Sequence, residues 1–160
     1  MNIWKKILGI SLAVGLSVGM SIAPVYADTT SILDEITDEE TTEDYAEDTS
    51  TILARSSYLN LGNVKIQRVA SNEIVIYGLT QCHKKCSKVY LSLFLERKVN
   101  GSYGTYKIWE FTANNASSLS KTIDVAVPSG TYYRVRGYHA ASQSGKKEST
   151  STLTQGIMVK

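Results

Sequence analysis

The stretch KVYLSLFLERKVNGSYGTYKIWEF, residues 88–111, decides the fold class. From Val89 onward every second residue is apolar. Val89, Leu91, Leu93 and Leu95 fall on one side of an extended chain, with Tyr90, Ser92, Phe94 and Glu96 on the other. A period of two is that of a strand with one face turned to a core. Asn100-Gly101 then supplies the dipeptide whose left-handed backbone suits a two-residue hairpin turn, and a second extended run follows it.

The same alternation recurs on both sides of this hairpin. Val64 and Ile66 alternate with Lys65 and Gln67, and Leu119, Ile123, Val125 and Val127 alternate with Ser120, Thr122 and Asp124. EIVIYGL, residues 73–79, is too evenly apolar to assign faces, as for a strand covered on both sides. Pro128-Ser129-Gly130 and Ser144-Gly145 are further breaks, and no helical period appears after the first 27 residues. The reading is all-β, with seven strands at about 63–70, 73–80, 87–99, 104–113, 118–127, 131–141 and 149–159. Seven short antiparallel strands over about 100 residues suit a β-sandwich of fibronectin or immunoglobulin type. A closed barrel is the alternative.

The sixth of these strands, GTYYRVRGYHAA (130–141), poses a chemical question. Tyr133 and Val135 fall on one face; Tyr132, Arg134, Arg136 and Tyr138 fall on the other. In a seven-strand sandwich the third and sixth strands share a sheet, so Tyr90 and Phe94 are expected beside these four residues. A hairpin closing at Val99 and Ser102 adds Trp109. Several large rings with arginine make a candidate binding face.

VAVPSGTYYRVRGYHA resembles the corner and following strand of a fibronectin type III domain. The resemblance implies that Tyr133 is a corner tyrosine, its ring buried and its hydroxyl bonded back to the chain. The family's usual tryptophan is missing from the second strand. From Leu93 to Ile157, LERKVNGSYG, TYYRVRGYHAA and ESTSTLTQGI resemble an uncharacterised family of small secreted proteins of Gram-positive bacteria, a domain of unknown function. That resemblance implies a compartment and a fold but points to no particular activity.

The chain's net charge of +2 conceals a division. Residues 1–27 read as a signal peptide: Lys5 and Lys6, an apolar run from Ile7 to Ala23, and Val25-Tyr26-Ala27 as the cleavage pattern. An uncleaved membrane anchor is the alternative. Residues 28–50 then hold ten Asp and Glu and no Lys or Arg, whereas residues 51–160 hold fifteen Lys and Arg against five Asp and Glu. Such an acidic, Thr-rich run buries too little to offset its ordering entropy, so residues 28–57 are expected to be a disordered linker before a domain at 58–160. Tethered to a basic domain, residues 34–48 are expected either to act as a spacer or to screen the arginine face transiently.

Cys82 and Cys86 close the stretch CHKKC. In an exported chain the pair reads as a disulfide, its five-residue loop worth roughly 2 kcal/mol. A metal site of Cys82, His83 and Cys86 with His139 competes, but Lys84 and Lys85 oppose it and the loop is cramped for zinc. A redox pair fits less well still, since such motifs favour two spacer residues. For catalysis, Glu96 and Glu110 are the one pair of carboxylates flanking the hairpin. Pairing Val99 with Ser102 or Gly104 is expected to put them on opposite faces, with Glu96 beside Lys107. His139 shares a face with Tyr133 and Val135 and reads as an interior or sheet-edge histidine.

The expectation is a secreted, non-enzymatic binding module with no cofactor and no metal. Its partner would be an anionic cell-surface polymer, a glycan or a protein, and not nucleic acid. A self-assembly module is the alternative, and a secreted hydrolase a more distant one.

Overall fold

A computed structural model describes residues 40–51 and 56–160; the signal-peptide stretch lies outside them. Every element in these residues is a strand: β1 (Glu40–Thr41), β2 (Tyr45–Thr51), β3 (Leu59–Ala70), β4 (Glu73–Val99), β5 (Ser102–Ala126), β6 (Thr131–Gln143), β7 (Lys146–Leu153) and β8 (Gly156–Val159). The all-β reading holds, and the details differ. Eight strands form one sheet, and β1 pairs with β8 in parallel, so the sheet is mixed rather than a seven-stranded antiparallel sandwich.

The framework is the β4–β5 hairpin. Asn100 and Gly101 turn it with φ of 51° and 85°, and Val99 pairs with Ser102. The two strands expected at 73–80 and 87–99 are halves of the 27-residue β4, and those at 104–113 and 118–127 lie in the 25-residue β5. The joint on β4 is CHKKC. Gln81 pairs with Ser118 and Cys86 with Ala116, so four residues of β4 bulge opposite one of β5. The excess of three is odd, and it reverses β4's inward parity. Ile74 and Ile76 point inward before the bulge, and Val89, Leu91, Leu93 and Leu95 after it, all fully buried. A bulge of this size bends the strand without ending it.

Along one edge β4 pairs with β5. Along the other, its first half pairs with β3 and its second half with β6. β2 extends β3, and β7 and β8 extend β6. The two wings curl until side chains of β2 meet β7, leaving a nearly barrel-like sheet around one principal core of Val64, Ile66, Ile76, Leu93, Val135 and Ile157 with their neighbours. A smaller cluster of Leu59, Cys82, Cys86, Val89 and Ala141 closes one end.

β2 overturns the expected linker. Tyr45–Thr51 lies antiparallel to β3, from Tyr45 opposite Gln67 to Thr51 opposite Leu61, and Ala46 is buried in the core. Among the described residues, three carboxylates of this strand and the turn before it have partners. Asp44 pairs with Arg68, Glu47 accepts from Asn63 Nδ2 at 2.7 Å, and Asp48 accepts from the Leu153 N–H at 2.8 Å. Charge composition misled because these groups find partners on β3 and at Leu153 while remaining at least partly exposed to water. Placed along β3, residues 44–48 cannot lie over the arginine face they were expected to screen; among the described residues of the expected linker, Glu40 reaches that face, at Lys98.

Candidate functional site

The outer face of β4 and β6 gathers most of the expected residues. Phe94 pairs with Arg136, Ser92 with Tyr138, Tyr90 with Ala140 and Glu96 with Arg134, so Tyr90, Phe94, Tyr132, Arg134, Arg136 and Tyr138 share one side of the sheet. Glu96 organises them. Its Oε2 accepts from Arg134 Nε at 2.8 Å and its Oε1 from Arg136 Nε at 3.0 Å. Arg134 is only 3% exposed and Glu96 6%.

Aromatic rings cover this ion triad. The Arg136 guanidinium lies 4.2 Å from the Phe94 ring centre and that of Arg134 4.0 Å from Tyr103. Lys147 sits over Tyr90 at 4.8 Å, and Lys98 between Tyr103 and Tyr132 at 5.5 and 6.0 Å. Lys98 in turn holds Glu40 at 2.5 Å. Stacked in this way, a guanidinium keeps its hydrogen-bonding fork while its flat faces are covered. The two cations of the sixth expected strand therefore serve an outer packing layer, and Arg134 is not open to a soluble anion.

Trp109 belongs to the opposite face. Leu95 pairs with Lys107 whereas Glu96 pairs with Thr105, so Tyr106 is an extra residue on β5. This one-residue bulge reverses every later side chain. Trp109 consequently meets Leu93 and packs on the core, and Glu110 pairs with Ser92 on the outer face. Glu96 and Glu110 thus share a face, contrary to expectation, and Glu96 pairs with the arginines rather than with Lys107.

On the inner side, Tyr133 is fully buried and its hydroxyl donates to Pro128 O at 2.8 Å. Burial pushes that hydroxyl's pKa above its ordinary value, against the lowering influence of the adjacent Arg97. His139 is fully buried between Thr80 Oγ1 at 3.0 Å and Thr152 Oγ1 at 2.8 Å. Gly62 and Gly137 make room for it; a methyl group on either would collide with the imidazole. Burial lowers its pKa to about 4, so the ring is neutral. Neither residue is placed to activate a nucleophile.

Cys82 and Cys86 are both free, buried thiols. Burial, helped by a hydrogen bond to Cys86, pushes the Cys82 thiol up to about 12, which suits a structural cysteine better than a reactive one. His83 is exposed, and among the described residues no three His, Cys, Asp or Glu side chains are gathered to hold a metal ion.

A second feature lies at the hairpin end. Arg97 faces Gly104 across β4 and β5, and the surrounding residues frame an open pocket of about 360 Å³ that includes Tyr103 and Tyr106. Val99 and Tyr106, exposed at 50% and 38%, lie at this end, whereas Ile108, 54% exposed, pairs with Phe94 and stands on the outer face. Tyr103 escaped the sequence reading because NGSYG was read only as a hairpin turn, and Arg97 and Tyr106 because they fell in the expected strands at 87–99 and 104–113; SYGTY spans the turn and the second strand. Its two tyrosines beside a glycine were the available signal; the bulge that aims them left none.

No curated protein matches the chain. Residues 32–157 match the model of a family of unknown function, DUF6147, and the chain belongs to that family.

Proposed function

We propose that this member of a family of unknown function is a secreted, non-enzymatic module that binds an anionic polymer or glycan of the cell surface. The observation that carries the reading is the pair of exposed side chains Val99 and Tyr106 that line the hairpin-end pocket beside Arg97. Exposed aliphatic and aromatic side chains in one place, beside cations, have the composition of a recognition patch. From residue 28 onward Lys and Arg balance Asp and Glu, but residues 51–160 hold fifteen Lys and Arg against five Asp and Glu, so positive charge is concentrated on the domain's part of the chain. Export rests on the arrangement of residues 1–27, and in an oxidising compartment Cys82 and Cys86 are expected to close their bulge as a disulfide. The absence of enzymatic activity is supported by the engagement of Glu96 with two arginines and of His139 with two threonines.

The test is co-sedimentation of the mature chain with purified cell walls, intact or stripped of anionic polymer. Retention on intact walls that falls with added salt supports the reading. Equal retention on both preparations assigns the binding to the wall glycan, and no retention on either at low salt refutes the reading.

A second reading, self-assembly, has its own observation. Over Ser102–Ala126, β5 pairs only with β4, so among the described residues its far edge carries no strand. Such an edge is a template for another chain, although Lys107, Lys121 and the left-handed Asn115 interrupt it. A concentration-dependent dimer in sedimentation would favour this reading.

A further inference from the structure

We propose that the pocket between Arg97, Gly104 and Tyr106 binds one anionic sugar residue, its acid group on Arg97 and its ring against Tyr106; this rests on the binding-module reading above. Three independent features converge there. Tyr106 is the extra residue of the bulge, so Arg97 and Gly104 face each other on the inner side of the sheet, at its open end. Gly104 has no atom within 4 Å of where its Cβ would stand, so the glycine forms an open floor rather than a close packing contact. A volume of about 360 Å³ lies at the small end of the range for ligand pockets, suited to one ring.

Arg97 supplies the charge. Its Nε is buried with no hydrogen-bond partner, an unusual state for a group that almost always finds one. Its guanidinium lies beside the Tyr133 hydroxyl and 5.7 Å from the Tyr106 ring centre, so it is held from two sides. A guanidinium held in this way, its Nε covered and the residue still part-exposed, suits a carboxylate or phosphate, whose oxygens accept two parallel N–H bonds from the terminal nitrogens. Arg97 carries the only charge among the lining residues; Glu40, whose carboxylate lies 3.4 Å from the Tyr103 hydroxyl, is paired with Lys98. Lys107, 5.5 Å from the Tyr106 ring centre, adds positive potential.

The rest of the lining selects a sugar over a bare anion. Tyr106 is 38% exposed and edge-on to Tyr133, ring centres 6.1 Å apart, which fixes its plane. A fixed aromatic face packs against the apolar C–H face of a pyranose, while Ser102 and Thr105 in the lining offer hydroxyls to its rim.

The experiment titrates the mature chain with glucuronic acid, glucose 6-phosphate, glucose and inorganic phosphate, following the Arg97 Nε–H resonance by NMR. One or both acidic sugars should shift it saturably, with glucose and inorganic phosphate weaker by about tenfold or more. The carboxylate and phosphate arms identify the acid. Gly104→Val, whose side chain enters open space, should leave the melting temperature unchanged and weaken the acidic sugar by at least about tenfold; Arg97→Gln should weaken it similarly. Equal binding of glucose, equal binding of inorganic phosphate, or undiminished binding by Gly104→Val would overturn the assignment. If the unmodified chain sediments with cell walls yet no acidic sugar moves the resonance, the pocket proposal fails and the module reading stands. If walls are not bound but the sugar is, the reverse holds.

Discussion

The carboxylate of Asp48 accepts the backbone N–H of Leu153 at 2.8 Å, across 105 positions of chain. Beside it, Ser50 Oγ and Thr150 Oγ1 lie 2.6 Å apart. These contacts bridge β2 to β7, where the two wings of the sheet meet without a backbone ladder. Asp48→Ala leaves a part-buried N–H at this seam without its acceptor and should cost about 1–2 kcal/mol in urea denaturation. Glu43→Ala, at an exposed position, should change stability by less than about 0.5 kcal/mol.

Arg134 and Arg136 should behave differently although both bind Glu96. Arg134 is buried, so Arg134→Ala strands Glu96 in a covered layer and should destabilise by about 3 kcal/mol or more. Arg136, whose side chain is 23% exposed, leaves room for water to replace it, and Arg136→Ala should cost less than half as much. Thermal melts of the two variants and of the double variant decide this; equal small losses would mean that the triad carries little of the fold.

Tyr133→Phe removes the donor to Pro128 O and should cost about 1–2 kcal/mol. Tyr132→Phe, half-exposed on the other face, should cost much less. Chemical denaturation of both, side by side, is the check.

Acid should weaken the fold through His139. Its pKa falls from 6.5 to about 4 on folding, so the native state is neutral where the unfolded state has already taken a proton. Stability from this group is complete above pH 6.5 and lost as pH falls toward 4, about 3 kcal/mol in all at about 1.4 kcal/mol per unit. Glu148, whose pKa drops to about 2, acts over a lower range, below 4.5. Its burial opposes ionisation, but the bonds from Ser56, Leu59, Ser57 and Tyr58 prevail. Denaturation at pH 7 and pH 5 should therefore show a loss that His139→Gln abolishes.

The strands were legible where one face is apolar. Val89 to Leu95 announced β4's second half, and Asn100-Gly101 its turn, because period and turn chemistry are local. The bulges at Cys82–Cys86 and Tyr106 were not legible, because an extra residue in a ladder has no signature apart from its partner strand. Each shifts parity, and that alone moved Trp109 from the outer face to the core. The outer aromatic–arginine face was visible as composition, but its covering by Tyr103 and its neutralisation by Glu96 are cross-strand facts. β2 was hidden by its own charge: YAEDTST holds a single buried residue, Ala46, and is held in place by partners that lie elsewhere in the sequence.

Hydrogen–deuterium exchange over residues 45–51 in the mature chain tests the account most directly. If the acidic segment is a strand that joins the two wings of the sheet, its amides bonded to β3 should exchange as slowly as those of β3 itself, and Asp48→Ala should accelerate both strands together. Exchange of residues 45–51 at the rate of an unstructured peptide, with β3 still protected, would contradict it.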